Sequence, residues 1–363
     1  MQDKYYSTPL HGVECFLPDA TCNGNKTNTS ELAVELAFDA ISIEANQQPI
    51  WTLKDQGLRY LSELTLYPYL CSPFDSEVNN ELVTVQTQGI TENPKPNKLS
   101  SSSYILNVDC EGKGRFLIEP NKITIDWDEG TSSSHYFQTL ALALWLETQH
   151  VPCIHANALK HGEKTFALVA NSGTGKSTLS ATLKQGGCEW LTDDMIAMHQ
   201  IGAHDTSRSA PKVYPSWPIA RMWPDSVENA LGKEVSELKK VHNRFEKRLI
   251  EMPELSEESK NSSELSVIYI LNRTVIDNPD NTQACKIETI NSSQALILLL
   301  QNSILGNAYS ALKLESDRIR QLSTLVQTTK VKKITYSSGK ENLDFVRKAI
   351  FEDLDNLQPH STS

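Results

Sequence analysis

Short runs of apolar and β-branched residues recur through the first part of the chain. PIWTLKD (49–55), ELVTVQT (81–87), SYILNVDC (103–110), GRFLIEP (114–120) and KITIDWD (122–128) each have strand length and polar or Pro/Asn/Ser-rich flanks. Each predicts a β-strand, and ENPKPNKLSSSS (92–103) predicts an exposed loop. The pattern then changes. HYFQTLALALWLETQH (135–150) is continuously apolar over helical length and predicts a buried helix. CIHANALK (153–160) and KTFALVA (164–170) predict two strands joined by the turn HGE. STLSATLKQ (177–185) predicts a helix that stops at Gly186-Gly187, and CEWLT (188–192) a buried strand running into Asp193-Asp194. A strand at ELSVIYIL (264–271), helices near 292–305 and 308–325, a strand at VKKITY (331–336) and a helix over 341–354 complete the pattern. Strands alternating with helices predict an α/β fold, a sheet covered by helices. Residues 1–130 read as a strand-rich α+β region without a chemistry-bearing cluster, and 131–363 as the region that carries chemistry.

Composition narrows the class. With 363 residues, 39% hydrophobic and 22% charged, the chain is an ordinary globular protein of two domains, or one large domain with an appended one. A net charge of −11 argues against a nucleic-acid coat and against a polybasic membrane binder. The longest apolar runs, LALALWL (140–146) and ALILLL (295–300), fall short of the ~18–20 residues a membrane span needs. The start MQDKYYSTPLHG has no basic stretch followed by an apolar one, so it does not read as a signal peptide. Seven scattered cysteines without a CxxC pair predict neither a zinc ribbon nor a disulfide framework, and a reducing cytoplasm fits them.

Candidate chemistry sits at ANSGTGKS (170–177), between a strand and a helix. It is the phosphate-loop pattern GxxxxGK[ST] with Ala170 in place of the first glycine. In that reading Asn171, Ser172, Gly173, Thr174 and Gly175 turn backbone N–H groups toward a β-phosphate, and the helix dipole adds to their field. Lys176 reaches the β and γ oxygens, Ser177 is placed to ligate Mg²⁺, and Thr178 follows in the first helical turn. The competing reading is a Gly-rich turn with a surface lysine. Asp193 and Asp194 follow Lys176 after one helix and one strand, which returns them to the phosphate edge of a parallel sheet. One carboxylate can hold Mg²⁺ while the other takes a proton from an attacking hydroxyl. The alternative is an ATPase with one metal aspartate and a capping neighbour. His155, on the preceding strand, is either a core residue or part of the site.

Taken together, His155, a strand, SGTGKST (172–178), a helix, Gly186-Gly187 and LTDDM (191–195) resemble the catalytic core of HPr kinase/phosphorylase and its divergent relatives. SGTGK also looks like the corresponding stretch of phosphoenolpyruvate carboxykinase, and YPSWPIARMWPDSVENALG (214–232) is similar to a segment of the HPr-kinase-related branch. The resemblance implies a P-loop kinase core of that type, using ATP and Mg²⁺, with Ser177 and Asp194 at the metal and Asp193 nearer the acceptor hydroxyl. The departures are Ala156 and Ala170 where that family has glycine, and the lack of an EIRGLG-like stretch. They point to a kinase running one way.

Further positive charge is available from Arg221, Lys247 and Arg248. Segment 233–248 carries six Lys/Arg against three Glu, a pattern that a solvated helix face also produces. A leaving phosphoryl group needs such charge, and Arg221 is the first candidate to supply it. The leading expectation is an ATP- and Mg²⁺-dependent kinase acting on a hydroxyl, of serine in a peptide or protein or of a small molecule. A nucleotide-driven switch without covalent transfer, and a carboxykinase-type reaction, are the alternatives. The oligomeric state stays open.

Overall fold

A computed structural model of the chain describes residues 10–16, 32–56, 61–69, 103–110, 112–128, 133–171, 173–201, 210–242, 245–274 and 285–357. The strand expected at 81–87, and the loop expected at 92–103 apart from Ser103, lie outside the described residues. The fold is mixed α/β, built on two large mixed sheets.

The first sheet has seven strands: β1 (Val13–Phe16), β2 (Leu32–Phe38), β3 (Trp51–Gln56), β4 (Leu61–Tyr69), β5 (Ser103–Asp109), β6 (Lys113–Ile118) and β7 (Lys122–Trp127). Their order is β1-β2-β7-β6-β5-β4-β3. Strands β3 to β7 pair antiparallel, whereas β1, β2 and β7 run parallel. Four of the expected strands are β3, β5, β6 and β7; β1, β2 and β4 were not legible as such. Alternation buries Val34, Leu36, Phe116, Ile118, Ile123 and Ile125 on one face.

That face packs on α1 (133–148), which is α-helical over Ser133–Tyr136 and Leu142–Thr148 and π-helical over Phe137–Ala141. The second half of the helix, Ala141 to Glu147, is buried throughout, whereas His135, Thr139 and Leu140 stay part-exposed. Phe137, Ala141, Leu142 and Trp145 share one cluster with the first sheet and with Leu305, Tyr309 and Leu312 from much later in the chain. The hydrophobic core is therefore continuous across residue 130.

The second large sheet uses β9 (Ala156–His161), β10 (Lys164–Val169), β11 (Glu189–Thr192), β13 (Lys212–Val213), β17 (Ser263–Thr274), β18 (Lys286–Thr289) and β19 (Lys330–Ser337). The order is β11-β9-β10-β17-β19-β18, with β13 pairing on β17. Two small sheets join β8 (Cys153–Ile154) to β12 (Ile196–Ala197), and β14 (Ile219–Met222) to β16 (Phe245–Glu251) and β15 (Lys240–His242). The helices are α2 (Lys176–Gln185), α3 (Pro224–Leu231), α4 (Ser292–Gln301), α5 (Tyr309–Leu312), α6 (Glu315–Thr328) and α7 (Leu343–Asp355). Alternation along β10 sorts the two layers: Phe166 and Leu168 face α2 and α7, while Ala167 and Val169 face α4 and α6. None of the described helices is long and apolar enough to cross a membrane.

Three expectations need correction. The sheet is not wholly parallel, because β9 runs antiparallel to both β10 and β11. The basic segment 233–248 is no helix face: β15 and β16 form antiparallel strands there, edged by a short 3₁₀ turn. The helix expected over 308–325 is two helices, broken where Lys313 adopts φ 57°.

Below the second sheet's edge, Glu147 of α1 and Arg318 of α6 form a fully buried ion pair through Oε2 and Nε. Glu147 Oε1 accepts the Cys153 N–H (2.8 Å) and the Tyr309 hydroxyl (3.0 Å). Arg318 donates again to the Glu147 carbonyl (2.6 Å) and to Gln321. This cluster fastens α1, β8, α5 and α6 together beside His155.

Candidate functional site

Strand directions assemble the site. Strands β10 and β11 run the same way with β9 reversed between them, so their C-terminal ends and the start of β9 meet at one edge. The loop 171–175 leaves β10 there, Asp193-Asp194 leave β11, and His155 precedes β9 in the break after β8. The antiparallel strand is what brings His155 to the same edge.

The loop turns at Gly173 (φ 81°) and Gly175 (φ 99°), both in the region that glycine alone occupies without strain. A Cβ on Gly175 would also stand 3.3 Å from Arg273 Nη1. The Thr174 N–H donates to the Asn171 carbonyl (3.2 Å), and Arg273 Nη2 donates to the Gly173 carbonyl (3.0 Å), which fixes the loop from β17. Ser172 lies outside the described residues. Helix α2 starts at Lys176 with its free N–H groups toward the loop. The Thr178 hydroxyl donates to Ser226 Oγ (2.8 Å) and ties α2 to α3.

Lys176 is 6% exposed, and its Nζ has no hydrogen bond. Its nearest acid is Asp194, with Oδ1 at 3.9 Å. Burial pushes its pKa down to about 8 against the opposing pull of Asp194 and Asp193.

The two aspartates diverge, for a backbone reason. Asp194 adopts φ 64°, a left-handed conformation unusual for a non-glycine residue. Its N–H donates to Asn157 Oδ1 (3.1 Å), and Asn157 Nδ2 donates to Ser180 Oγ (2.9 Å), so β9 and α2 together hold the turn. The Asp194 carboxylate enters the cleft: Oδ1 is 3.8 Å from His155 Nε2, and Oδ2 is 3.9 Å from Lys247 Nζ. Burial alone would raise its pKa, but Lys247, His155, Lys176 and Arg221 together hold it well below the usual carboxylate range. Asp193 turns inward. Its Oδ2 accepts the Arg221 N–H (2.8 Å), and its Oδ1 is buried without a hydrogen-bond partner. Burial, and then the charge of Asp194, pushes its pKa up to about 7.

The cleft between loop 171–175, α3 and the ends of β17 and β19 has a volume of about 420 Å³. Of the residues singled out in the sequence, His155, Asn171, Gly173, Gly175, Lys176, Ser177, Thr178 and Asp194 line it. Thr174, Asp193 and Arg221 do not. Arg221 is 4% exposed, and its guanidinium is bonded to Gln138 in the π-helical turn of α1. Of the three cations Arg221, Lys247 and Arg248, Lys247 faces the cleft, and it also lies 5.8 Å over the Trp223 ring. Arg248, one residue on, turns to the backbone carbonyls of Val235 (3.3 Å) and Glu246 (2.5 Å). Arg221 therefore lies behind the aspartates, and Lys247 faces the cavity. Likewise Asp194, and not Asp193, is on the cavity wall, where Asp225 of α3 joins it.

Arg273 and Tyr336 also line the cleft, and sequence reasoning missed them. Tyr336 carries its hydroxyl to 3.5 Å from the Thr174 carbonyl. Both sit at the C-terminal ends of strands parallel to β10, the edge where open α/β sheets bind ligands. Strand-end position was the usable signal. The arrangement as a whole presents buried positive charge, glycine-turned backbone and the Asp194 and Asp225 carboxylates to a single cavity.

No protein-family model matches the chain, and no curated protein matches it. Among solved structures it is similar to the Hpr(Ser) kinase/phosphatase from Coxiella burnetii. That likeness has 13% sequence identity and a TM-score of 0.28, and it covers 56% of this chain and 92% of the other.

Proposed function

We propose that the chain is an ATP- and Mg²⁺-dependent kinase that transfers the γ-phosphate to a hydroxyl. The observation that carries this reading is Lys176: a buried ammonium with no hydrogen bond, at the start of a helix and beside a glycine-turned loop. Leaving such a group unpaired costs about 1–3 kcal/mol or more, so it calls for a partner from outside the fold. A polyphosphate supplies that partner, and the α2 N-terminus favours the same anion.

The donor set also fits the metal. Among the described residues no three His, Cys, Asp or Glu side chains gather as a metal cage. Mg²⁺ asks for less, since it keeps waters and takes phosphate oxygens alongside one or two protein ligands. Ser177, on the cavity wall, is the side chain that would hold it, with waters and phosphate oxygens completing its shell. Bound there, the ion would neutralise charge on the β and γ oxygens.

The chain's own groups do the rest. Lys176 and the amides of the loop orient the triphosphate, and Lys247 and Arg273 add positive charge around the transferring group. Asp194 accepts the acceptor's hydroxyl proton. Its low pKa is tolerable because a loose phosphoryl-transfer transition state asks little deprotonation of the nucleophile. His155 and Lys247 hold that carboxylate from its two oxygens. Asp193 and Arg221 set the charge behind it. Region 131–363 carries the chemistry, and region 1–130 serves acceptor recognition through α1, on which its sheet packs.

The test uses γ-labelled ATP with Mg²⁺ and a set of hydroxyl acceptors. Label should pass to an acceptor in the wild type. Lys176→Ala should bind ATP weakly and lower transfer by about 10²–10³-fold at unchanged thermal stability. Label found only as free phosphate would make the protein an ATPase. Unchanged nucleotide affinity in Lys176→Ala would remove the phosphate-loop reading.

A further inference from the structure

Resting on that kinase reading, we infer that a second lobe of the cleft seats the acceptor, and that the acceptor is a small hydroxy acid. The lobe, about 430 Å³, shares His155, Asn171, Asp194 and Lys247 with the nucleotide lobe. Those four residues form the boundary between two chambers. A side chain on that boundary meets a γ-phosphate on one side and an attacking hydroxyl on the other, which is the placement in-line transfer requires.

The far walls are His135, Thr139 and Leu140 on α1, and residues 301–304 at the end of α4. They are built, not draped. The His155 N–H donates to the Asn302 carbonyl (2.7 Å), and the Ile304 N–H donates to the Cys153 carbonyl (2.9 Å). Asn302 Nδ2 and the Ser303 hydroxyl are held by carbonyls of α4, at 2.8 and 3.1 Å. On the other side, the Thr139 hydroxyl donates to the His135 carbonyl (2.8 Å) in the π-helical turn. π-Helical turns of this kind recur at functional sites.

Size and charge name the occupant. The volume falls within the ~300–1,000 Å³ typical of small-molecule sites, whereas a stable protein partner buries about 1,200–2,000 Å² of surface. Among the described lining residues the cation-capable groups are His135, His155 and Lys247, against the single acid Asp194. In a chain of net charge −11 this lobe carries no net formal charge, Lys247 balancing Asp194, and the cleft focuses the field of the Lys247 ammonium and the imidazole donors on an anion. A carboxylate on the acceptor answers that field, while its hydroxyl faces Asp194. The acceptor oxygen then bonds to the γ-phosphorus as the bond from that phosphorus to the β–γ bridging oxygen breaks. The electron pair leaves with ADP, and the hydroxyl proton goes to Asp194. The products are ADP and a phosphomonoester of the acid.

The experiment offers Mg²⁺ and labelled ATP to the full chain with small hydroxy acids, free serine among them. The same compounds as neutral amides and a serine-containing peptide are the controls. The acids should be phosphorylated with kcat/KM about tenfold or more above their amides. Gln301→Trp, at an exposed position of the lobe, and Thr139→Trp should each raise the acceptor KM about tenfold with ATP affinity unchanged. His135→Gln should narrow the preference for acid over amide. The proposal is overturned if a protein that binds ATP phosphorylates none of the acids, or if it prefers the amides or the peptide. It is also overturned if both tryptophan variants keep the wild-type acceptor KM. Failure to bind ATP at all would strike the kinase reading first.

Discussion

Two clusters of buried charge lie on either side of His155, and they are finished to different degrees. In the Glu147–Arg318 cluster, carboxylate oxygens and guanidinium nitrogens alike are answered from within the fold, by Cys153, Tyr309, Gln321 and the Glu147 carbonyl. In the cluster around Asp194 the contacts are longer, 3.8 to 3.9 Å, and Lys176 Nζ, Asp193 Oδ1 and Arg221 Nε have no hydrogen bond. Burial differs as well: Glu147 and Arg318 are fully covered, whereas His155, Lys247 and Asp194 keep part of their side chains exposed. A saturated network can only hold structure, because it has nothing left to offer a ligand. A network left short keeps strong donors and acceptors in a low-dielectric site, where each is worth most to an incoming group. The contrast separates the structural charges of this molecule from those available for chemistry.

The largest effect should come from crossing the two clusters with isosteric changes. Asp194→Asn should lower transfer by about 10²–10⁴-fold with little loss of stability, since asparagine tolerates the left-handed backbone found there. Glu147→Gln leaves Arg318 uncompensated in the core, so it should cost about 3–5 kcal/mol of stability. Its activity per folded molecule should stay near wild type. Chemical denaturation and single-turnover transfer, measured on both variants, decide the matter. If the two residues gave the same pattern, the distinction between finished and unfinished charge would carry no functional meaning.

The sequence showed one side of this contrast more clearly than the other. The loop 171–175 and Asp193-Asp194 were legible because a strand, a turn, a helix and a strand connect them locally, and local periodicity fixes where each ends. The Glu147–Arg318 pair was not, because it joins residues far apart in the chain through packing that no short window contains. Which of Arg221, Lys247 and Arg248 lines the cleft was not legible, for a different reason. In the β14–β16 register Arg221 pairs with Leu249 and Met222 with Arg248, and side chains alternate across a strand. Lys247 and Arg248 must therefore face opposite ways, and only the tertiary setting says which one meets the cleft. The first sheet was partly legible: β5, β6 and β7 carry clear apolar runs. The parallel pairing of β1 with β2 and of β2 with β7 depends on contacts across long stretches of chain.

A smaller effect tests how the unfinished cluster is held open. Asn157 is fully buried and does not itself line the cavity, yet it accepts the N–H that keeps Asp194 left-handed. It is a positioning residue. A hydrogen bond of about 1 kcal/mol biases the conformer by about five- to tenfold, so Asn157→Ala should lower kcat by about that factor. ATP affinity should stay unchanged, because Lys176 and the loop do not depend on that bond. Ser180→Ala, which removes only the far end of the Asn157 contact, should do less. A loss expressed wholly in ATP affinity, or a larger loss from Ser180→Ala, would show that Asn157 supports α2 and not the aspartate turn.

The mildest effect is a titration, and it reads the unpaired Lys176 directly. Its pKa in the ligand-free protein is lowered to about 8, mainly by burial. The folded state thus binds fewer protons than the unfolded chain between about pH 8 and 10.5, so this group's contribution to stability increases as pH rises through that window. Nucleotide binding should run the other way. A phosphate beside Nζ restores its proton, so ATP affinity should fall about fourfold between pH 7 and 8.5, with about three quarters of a proton taken up at the upper pH. Ionisation of Asp193, whose pKa is pushed up to about 7, adds a like charge over the same range and steepens the fall. Asp193→Asn removes that contribution and isolates the lysine. Lys176→Arg should flatten the profile, since a guanidinium keeps its charge throughout. Calorimetry in buffers of different ionisation enthalpy measures the proton directly. A wild-type profile with no proton uptake at pH 8.5 would mean that Lys176 is already charged before ATP arrives, and that its burial leaves it nothing to gain.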